Sequence, residues 1–166
     1  MLELMLDPML QPRVLWRISN HPDLTGAGAE RSSGRWHTAA PGRRIVYLAE
    51  HPAVALLENL ANLGGDPSFF PDHFQLARIV VPADLRAAEP RSEELARVER
   101  ENPAATQGIG DEWLAAGTRA LLRVPSVPSP ESWNYLLNPL HPDAGGLRVE
   151  WVKRIAYDKR LFHVEG

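Results

Sequence analysis

The chain has 166 residues, a net charge of -3, a pI near 6.1 and no cysteine. That length supports one sizeable core, the charge offers no general attraction to phosphate backbones, and the lack of thiols excludes a disulfide framework and thiolate chemistry. Direct nucleic-acid binding is not expected, no apolar run reaches membrane-spanning length, and Met1 to Asp7 lacks the basic start of a secretory signal. The expectation is a cytoplasmic single domain, 1–166, with a core over about 12–155 and a polar C-terminal tail.

Residues 14–18 read as a first strand, apolar on both faces except for Arg17, which needs a partner. Residues 19–44 are rich in Gly, Ser, Ala, Pro and charge, too long for a simple connector, and carry Arg31 and Arg35; loops of this kind often carry function. A buried strand over 45–49 then turns into a helix over 52–63, with Pro52 suited to the first helical position and Gly64-Gly65 to its end. Glu58 is the only charge in that helix, which is otherwise apolar except for Asn59 and Asn62, so its carboxylate must be solvated, paired or used. Ordinary alternatives exist: Glu58, Asn59 and Asn62 as a narrow solvated edge, Arg17 and Glu58 as a structural ion pair, Trp36 and Tyr47 as core aromatics.

Further along, a strand over 74–81, a charged short helix over 92–100, a helix over 109–116 and a strand over 120–124 follow. Three prolines at 125, 128 and 130 exclude regular structure next and leave Ser126 at a strand end. Residues 133–142 mix Asn and His among apolar side chains, 143–146 turn, and 147–152 read as a closing strand. The sum is a mixed α+β fold. No metal template fits, because the six histidines never form an i, i+4 pair, and Gly26-Ala27-Gly28 lacks the third glycine of a dinucleotide loop. No serine-hydrolase elbow is present either.

Six fragments in collinear order do carry a signal: Trp16-Arg17-Ile18, Arg31-Ser32-Ser33-Gly34-Arg35-Trp36, Val46-Tyr47-Leu48-Ala49-Glu50, Ala55-Leu56-Leu57-Glu58, Val124-Pro125-Ser126, and the run from Asn134 through Leu137, Asn138 and His141 to Pro142. With them the chain resembles the RES domain, the toxin half of a bacterial type II toxin-antitoxin pair, named for arginine, glutamate and serine. His37 stands where that family usually has asparagine, and the glycine-rich lead-in over 26–34 is looser.

The resemblance implies an ADP-ribosyltransferase-like fold and consumption of NAD, a substrate rather than a cofactor, by cleavage of its nicotinamide-ribose bond, as a glycohydrolase or phosphorylase. ADP-ribosyl transfer to a host protein, or a catalytically silent interaction module, are the alternatives. Carried over by position, it points to Glu58, Arg17 and Ser126 as catalytic and to Arg35, Tyr47 and Arg31 as substrate-binding. It also implies a DNA-binding antitoxin of the Xre type as partner, and leaves a homodimer open. The chemistry gives each residue a task. A carboxylate opposes the positive charge of an oxocarbenium-like ribosyl centre, arginine forks suit pyrophosphate or orient Glu58, Tyr47 can stack and anchor, and Ser126 can position a hydroxyl.

Overall fold

Seven strands form one sheet in the computed structural model, which describes residues 14–162. The readings made for the N-terminal run and for the tail beyond 162 lie outside those residues. The strands are β1 (Val14–Ile18), β2 (Val46–Ala49), β3 (His73–Val80), β4 (Ala87–Ala88), β5 (Leu121–Pro125), β6 (Trp133–Leu137) and β7 (Arg148–Ala156), in the order β4-β5-β6-β2-β1-β3-β7. All pairings are antiparallel except β4 with β5. β1 and β2 meet through one pair alone, Trp16 opposite Ala49, whereas β1 matches β3 along its whole length. The sheet is therefore two ribbons, β4-β5-β6-β2 and β1-β3-β7, joined at a single point.

Alternation along the strands sends Leu15, Val46, Leu48, Ile79, Leu121 and Leu137 into one buried cluster. The other face carries the helices: α1 (Pro52–Leu63), α2 (Ser92–Leu95) and α3 (Ala104–Ala116). α1 buries Val54 and Ala55 against Ala49, Trp16 and Ile18, while α3 buries Trp113 with Trp36, Leu122, Val124 and Leu136. One register row, Ala49 on β2, Asn134 on β6 and Val124 on β5, runs from the α1 cluster to the α3 cluster. Asn134 thus sits on the sheet between the two helical layers.

α1 spans the residues its punctuation indicates. Pro52 occupies the first turn, His51 Nδ1 accepts from the Ala53 N–H at 3.1 Å, and Gly64 closes the helix with φ 52°. Its solvent edge is Ala53, Leu57, Ala61 and Asn62, so Glu58 and Asn59 are turned inward and do not form the solvated stripe weighed above. α2 is only four residues, not the helix expected to residue 100, and α3 begins at Ala104 rather than 109. β6 and β4 had no counterpart in the sequence reading, and β7 continues past 152 to Ala156.

Apolar periodicity hides the start of α3 because that side of the helix binds backbone. The Thr106 hydroxyl donates to the Arg35 carbonyl at 2.5 Å, the Gln107 amide donates to the Gly34 carbonyl at 3.0 Å, and Asp111 accepts from the Thr38 N–H at 3.0 Å and hydroxyl at 2.5 Å. Gly110 lies between them, where any Cβ would fall on the Trp36 carbonyl. Residues 19–44 are accordingly ordered by specific contacts, including a 3-10 turn at Ala27–Glu30 and a bridge between Gly34 and His37. Gly110→Ala should lower stability by about 1–3 kcal/mol through this overlap. Gly108→Ala, whose Cβ meets nothing, should raise it by about 0.5–1 kcal/mol through helix propensity. Denaturant midpoints of the two variants read the difference, and equal effects would contradict the packing described.

Candidate active site

Glu58 is half-buried on the inward side of α1, a helix that itself carries no lysine or arginine. Its Oε1 accepts from the Ser126 hydroxyl at 2.9 Å and from the Asn134 amide at 2.5 Å. Both donors are buried and neutral. Among the described residues no donor reaches Oε2 and no ion pair includes Glu58. The carboxylate is thus held in one orientation by one oxygen, with its charge and its second oxygen unspent.

Ser126 is itself fixed. Its Oγ accepts from the Ser129 N–H at 3.2 Å while donating to Glu58, its N–H donates to the Ser132 carbonyl at 2.9 Å, and Ser129 and Ser132 share a hydroxyl bond of 2.9 Å. The Pro-Ser segment is a small closed loop whose product is one aimed hydroxyl. Glu50 braces the other side: its N–H donates to the Trp133 carbonyl at 3.1 Å, and its Oε1 accepts from the Trp133 N–H at 2.9 Å, prolonging the β2–β6 pairing beside α1.

Tyr47, on the same face of β2 as Ala49, has its hydroxyl committed. The oxygen accepts from the Trp36 N–H at 3.1 Å and lies 2.7 Å from His37 Nδ1. His37 Nε2 lies 3.1 Å from the Ala29 carbonyl and 3.0 Å from that of Ser32. Carbonyls only accept, so Nε2 carries the proton, Nδ1 is the acceptor, and the Tyr47 hydroxyl donates to it. Burial pushes the Tyr47 phenol well above its ordinary value, so it stays protonated. Gly34 is required here, because a Cβ at that position would overlap the Tyr47 hydroxyl. The residue in the usual asparagine position is therefore a buried link between Tyr47 and two turns of the loop.

The arginines are placed apart from this cluster. Arg17 leaves β1 on the side of Leu15, away from α1, and does not pair with Glu58. Its Nη2 donates to the Ser19 hydroxyl at 3.3 Å and to the His21 carbonyl at 3.1 Å, and its Nε is buried with no partner. Burial lowers its pKa, with Asp23 opposing. Arg35 spends its fork on the carbonyls of Glu99 and Arg100, at 3.3 and 2.6 Å, tying the loop to the segment after α2. Arg31 is exposed, and no side-chain bond among the described residues holds it. Of the six expected residues, the structure brings Glu58 and Ser126 into contact and sets Tyr47 on the neighbouring strand; it adds Asn134, which the sequence reading quoted without a role. An amide alone among the apolar residues of 133–137 was the available signal.

A mixed α+β domain with a carboxylate oriented by two buried neutral donors on the inward side of a helix is the class that fold and site define. Residues 14–160 match the family model described as RES domain, and the chain belongs to that family. It is 40% identical over 154 residues to "Toxin Res" of Pseudomonas putida KT2440, covering 90% of this chain and 99% of that protein. It is 35% identical over 156 residues to the "Prs ADP-ribosylating toxin" of Sphingobium sp. YBL2, covering 88% and 94%. A "Toxin Res" of Yersinia enterocolitica is 31% identical over 134 residues, covering 80% and 86%.

Tyr47→Phe keeps the ring and strands the Trp36 N–H and His37 Nδ1, which should cost about 1–3 kcal/mol. The raised phenol also predicts a sign. Its contribution to stability is complete below about pH 10, the unfolded value, and falls as pH rises above it. Denaturation at neutral and alkaline pH should show a loss in the native chain that Tyr47→Phe lacks in part; identical pH dependence would contradict the burial of this hydroxyl.

Proposed function

We propose that this chain is a toxin that destroys cytoplasmic NAD by cleaving the bond between nicotinamide and ribose, with Glu58 as the central group. The observation that carries the reading is the carboxylate held through Oε1 by Ser126 and Asn134 while Oε2 has no donor. When the C1′–N bond breaks, its electron pair goes to nicotinamide, which leaves neutral, and the ribosyl centre becomes oxocarbenium-like and positive. A fixed anion that needs no reorganisation stabilises that charge most effectively. Oε2 is free to meet the ribose or its 2′-hydroxyl. An acceptor oxygen then forms the new bond to C1′ and releases its proton to solvent.

The dinucleotide also needs groups for its phosphates. Exposed Arg31 can supply a phosphate contact, whereas Arg17, on the face of the sheet away from α1, is assigned to holding the turn at Ser19 and His21. Arg35 is assigned to holding the loop, and through it the wall that carries Tyr47, whose ring and not its hydroxyl faces the task of stacking. The toxin names of the relatives support the biological reading. The ADP-ribosylating name of the Sphingobium relative favours a second acceptor, a protein side chain in place of water or phosphate. In this family reading, the fold is ADP-ribosyltransferase-like and restraint comes from an Xre-type antitoxin that covers Glu58.

Glu58→Gln keeps an oxygen for Ser126 and Asn134 but removes the charge, and should lower NAD turnover by on the order of 100-fold or more with an unchanged melting transition. Near-native turnover in that variant would sink the role given to Glu58. Expressed alone, the native chain should arrest growth as cellular NAD falls, co-expression of the Xre-type antitoxin should restore both, and Glu58→Gln should need no antitoxin. Soluble native protein that leaves growth and NAD unchanged would leave only the silent interaction module.

A further inference from the structure

Val46 opposite Leu137 is the last register pair of β2 and β6, and beyond it the first strand is preceded by a turn at 40–43 while the second runs on into Asn138. Side chains from both pieces and from the C-terminal half of α3 line an open recess of about 320 Å³, Arg43, Arg44, Asp111, Leu114, Asn138 and Leu140 among them. Asn134, which holds Glu58, lies at the other end of β6, about 13 Å away along the strand. The recess is separate from the candidate active site.

Its charges do not cancel. Asp111 is spent within the chain, Oδ1 accepting from the Thr38 N–H at 3.0 Å and Oδ2 from the Thr38 hydroxyl at 2.5 Å, with Arg43 Nη1 at 3.4 Å. One carboxylate thus offsets one arginine. Arg43 uses only Nη1, on Thr38 and Asp111, so among the described residues its Nε and Nη2 have no partner. Arg44 makes no hydrogen bond among those residues: the Glu30 carboxylate stands 3.7 Å from its Nε and accepts from the Gly42 N–H at 2.8 Å. A whole guanidinium fork is unspent. The third group is Asn138, only 8% exposed, whose Oδ1 completes a turn by accepting from the Leu140 N–H at 3.0 Å. Its Nδ2 donates to nothing among the described residues and is not sealed off, so it opens into the recess that Asn138 lines. A buried amide with an open donor calls for an acceptor.

We propose that this recess binds a small phosphate ester, with the phosphate on Arg43, Arg44 and the Asn138 amide and the organic body against Leu114 and Leu140. Three donor groups match the three terminal oxygens of a monoester, and planar forks suit phosphate oxygens in pairs. The volume stands at the small end for ligand sites, which favours an ester of mononucleotide size over a dinucleotide. Leu140, 65% exposed, gains cover from such a body. The site owes nothing to the NAD chemistry.

Calorimetric titration of the full chain with AMP, inorganic phosphate and adenosine tests it. AMP should bind at one site, phosphate more weakly, and adenosine not measurably. Arg44→Ala removes a side chain that makes no hydrogen bond, and Asn138→Asp keeps the oxygen that caps Leu140 while putting a carboxylate oxygen in place of the amide nitrogen. Each should weaken AMP and phosphate about tenfold or more at unchanged circular dichroism. Leu140→Ala should weaken AMP alone. Glu58→Gln and Arg31→Ala should leave AMP binding as it is, which separates this site from any phosphate contact made by NAD. A native chain that does not bind AMP overturns the proposal, as does AMP binding that folded Arg44→Ala and Asn138→Asp leave intact or that Arg31→Ala removes. AMP held no more tightly than inorganic phosphate overturns the assignment to an ester.

Discussion

A carboxylate drawn into the edge of a core has to be hydrated, paired with a cation or hydrogen-bonded, and Glu58 takes the third course with neutral donors. A cation would have quenched the charge, and full hydration would have left it mobile. Two buried donors on one oxygen fix the orientation of the group without pairing it with a cation. Much of the surrounding structure serves that arrangement. α1 supplies the turn that faces inward, β6 supplies Asn134, and the closed Pro-Ser loop after β5 supplies Ser126.

The second constraint is the single pair that joins the two ribbons of the sheet. Where β1 and β2 part, the backbone lacks a ladder partner, and the segment from Ser19 to Arg44 is built against the site as structure rather than as a connector. The Tyr47 hydroxyl and His37 pin it from the sheet side, and Thr106, Gln107 and Asp111 pin it from α3. Two glycines set the spacing, Gly34 against Tyr47 and Gly110 against Trp36. Replacing the family's usual asparagine by His37 is accommodated because its two ring nitrogens span the distance between the phenol and two loop carbonyls.

Local punctuation made part of this visible in the sequence. Pro52 and Gly64 bound α1, three prolines isolate Ser126, and a lone charge in an apolar helix singles out Glu58. The misses have physical causes. α3 starts early because its first turns satisfy a loop's backbone instead of burying apolar groups, so periodicity is silent there. β6 was not read as a strand because the stretch that follows it carries Asn138 and His141, which turn out to cap turns, Asn138 accepting from the Leu140 N–H at 3.0 Å and His141 from that of Asp143 at 3.0 Å. Arg35 and Arg17 have partners set by tertiary structure. Arg35 meets carbonyls more than sixty residues away, which no spacing rule exposes, and Arg17 meets its own turn rather than Glu58.

The central claim is that the oriented carboxylate of this domain drives cleavage of the nicotinamide-ribose bond. Its most direct test is incubation of the purified native chain with NAD, with and without inorganic phosphate, and identification of the products by mass. The account predicts release of free nicotinamide in both samples, with the ADP-ribosyl group recovered on water, on phosphate or on protein. NAD recovered intact from correctly folded protein in both samples would contradict it.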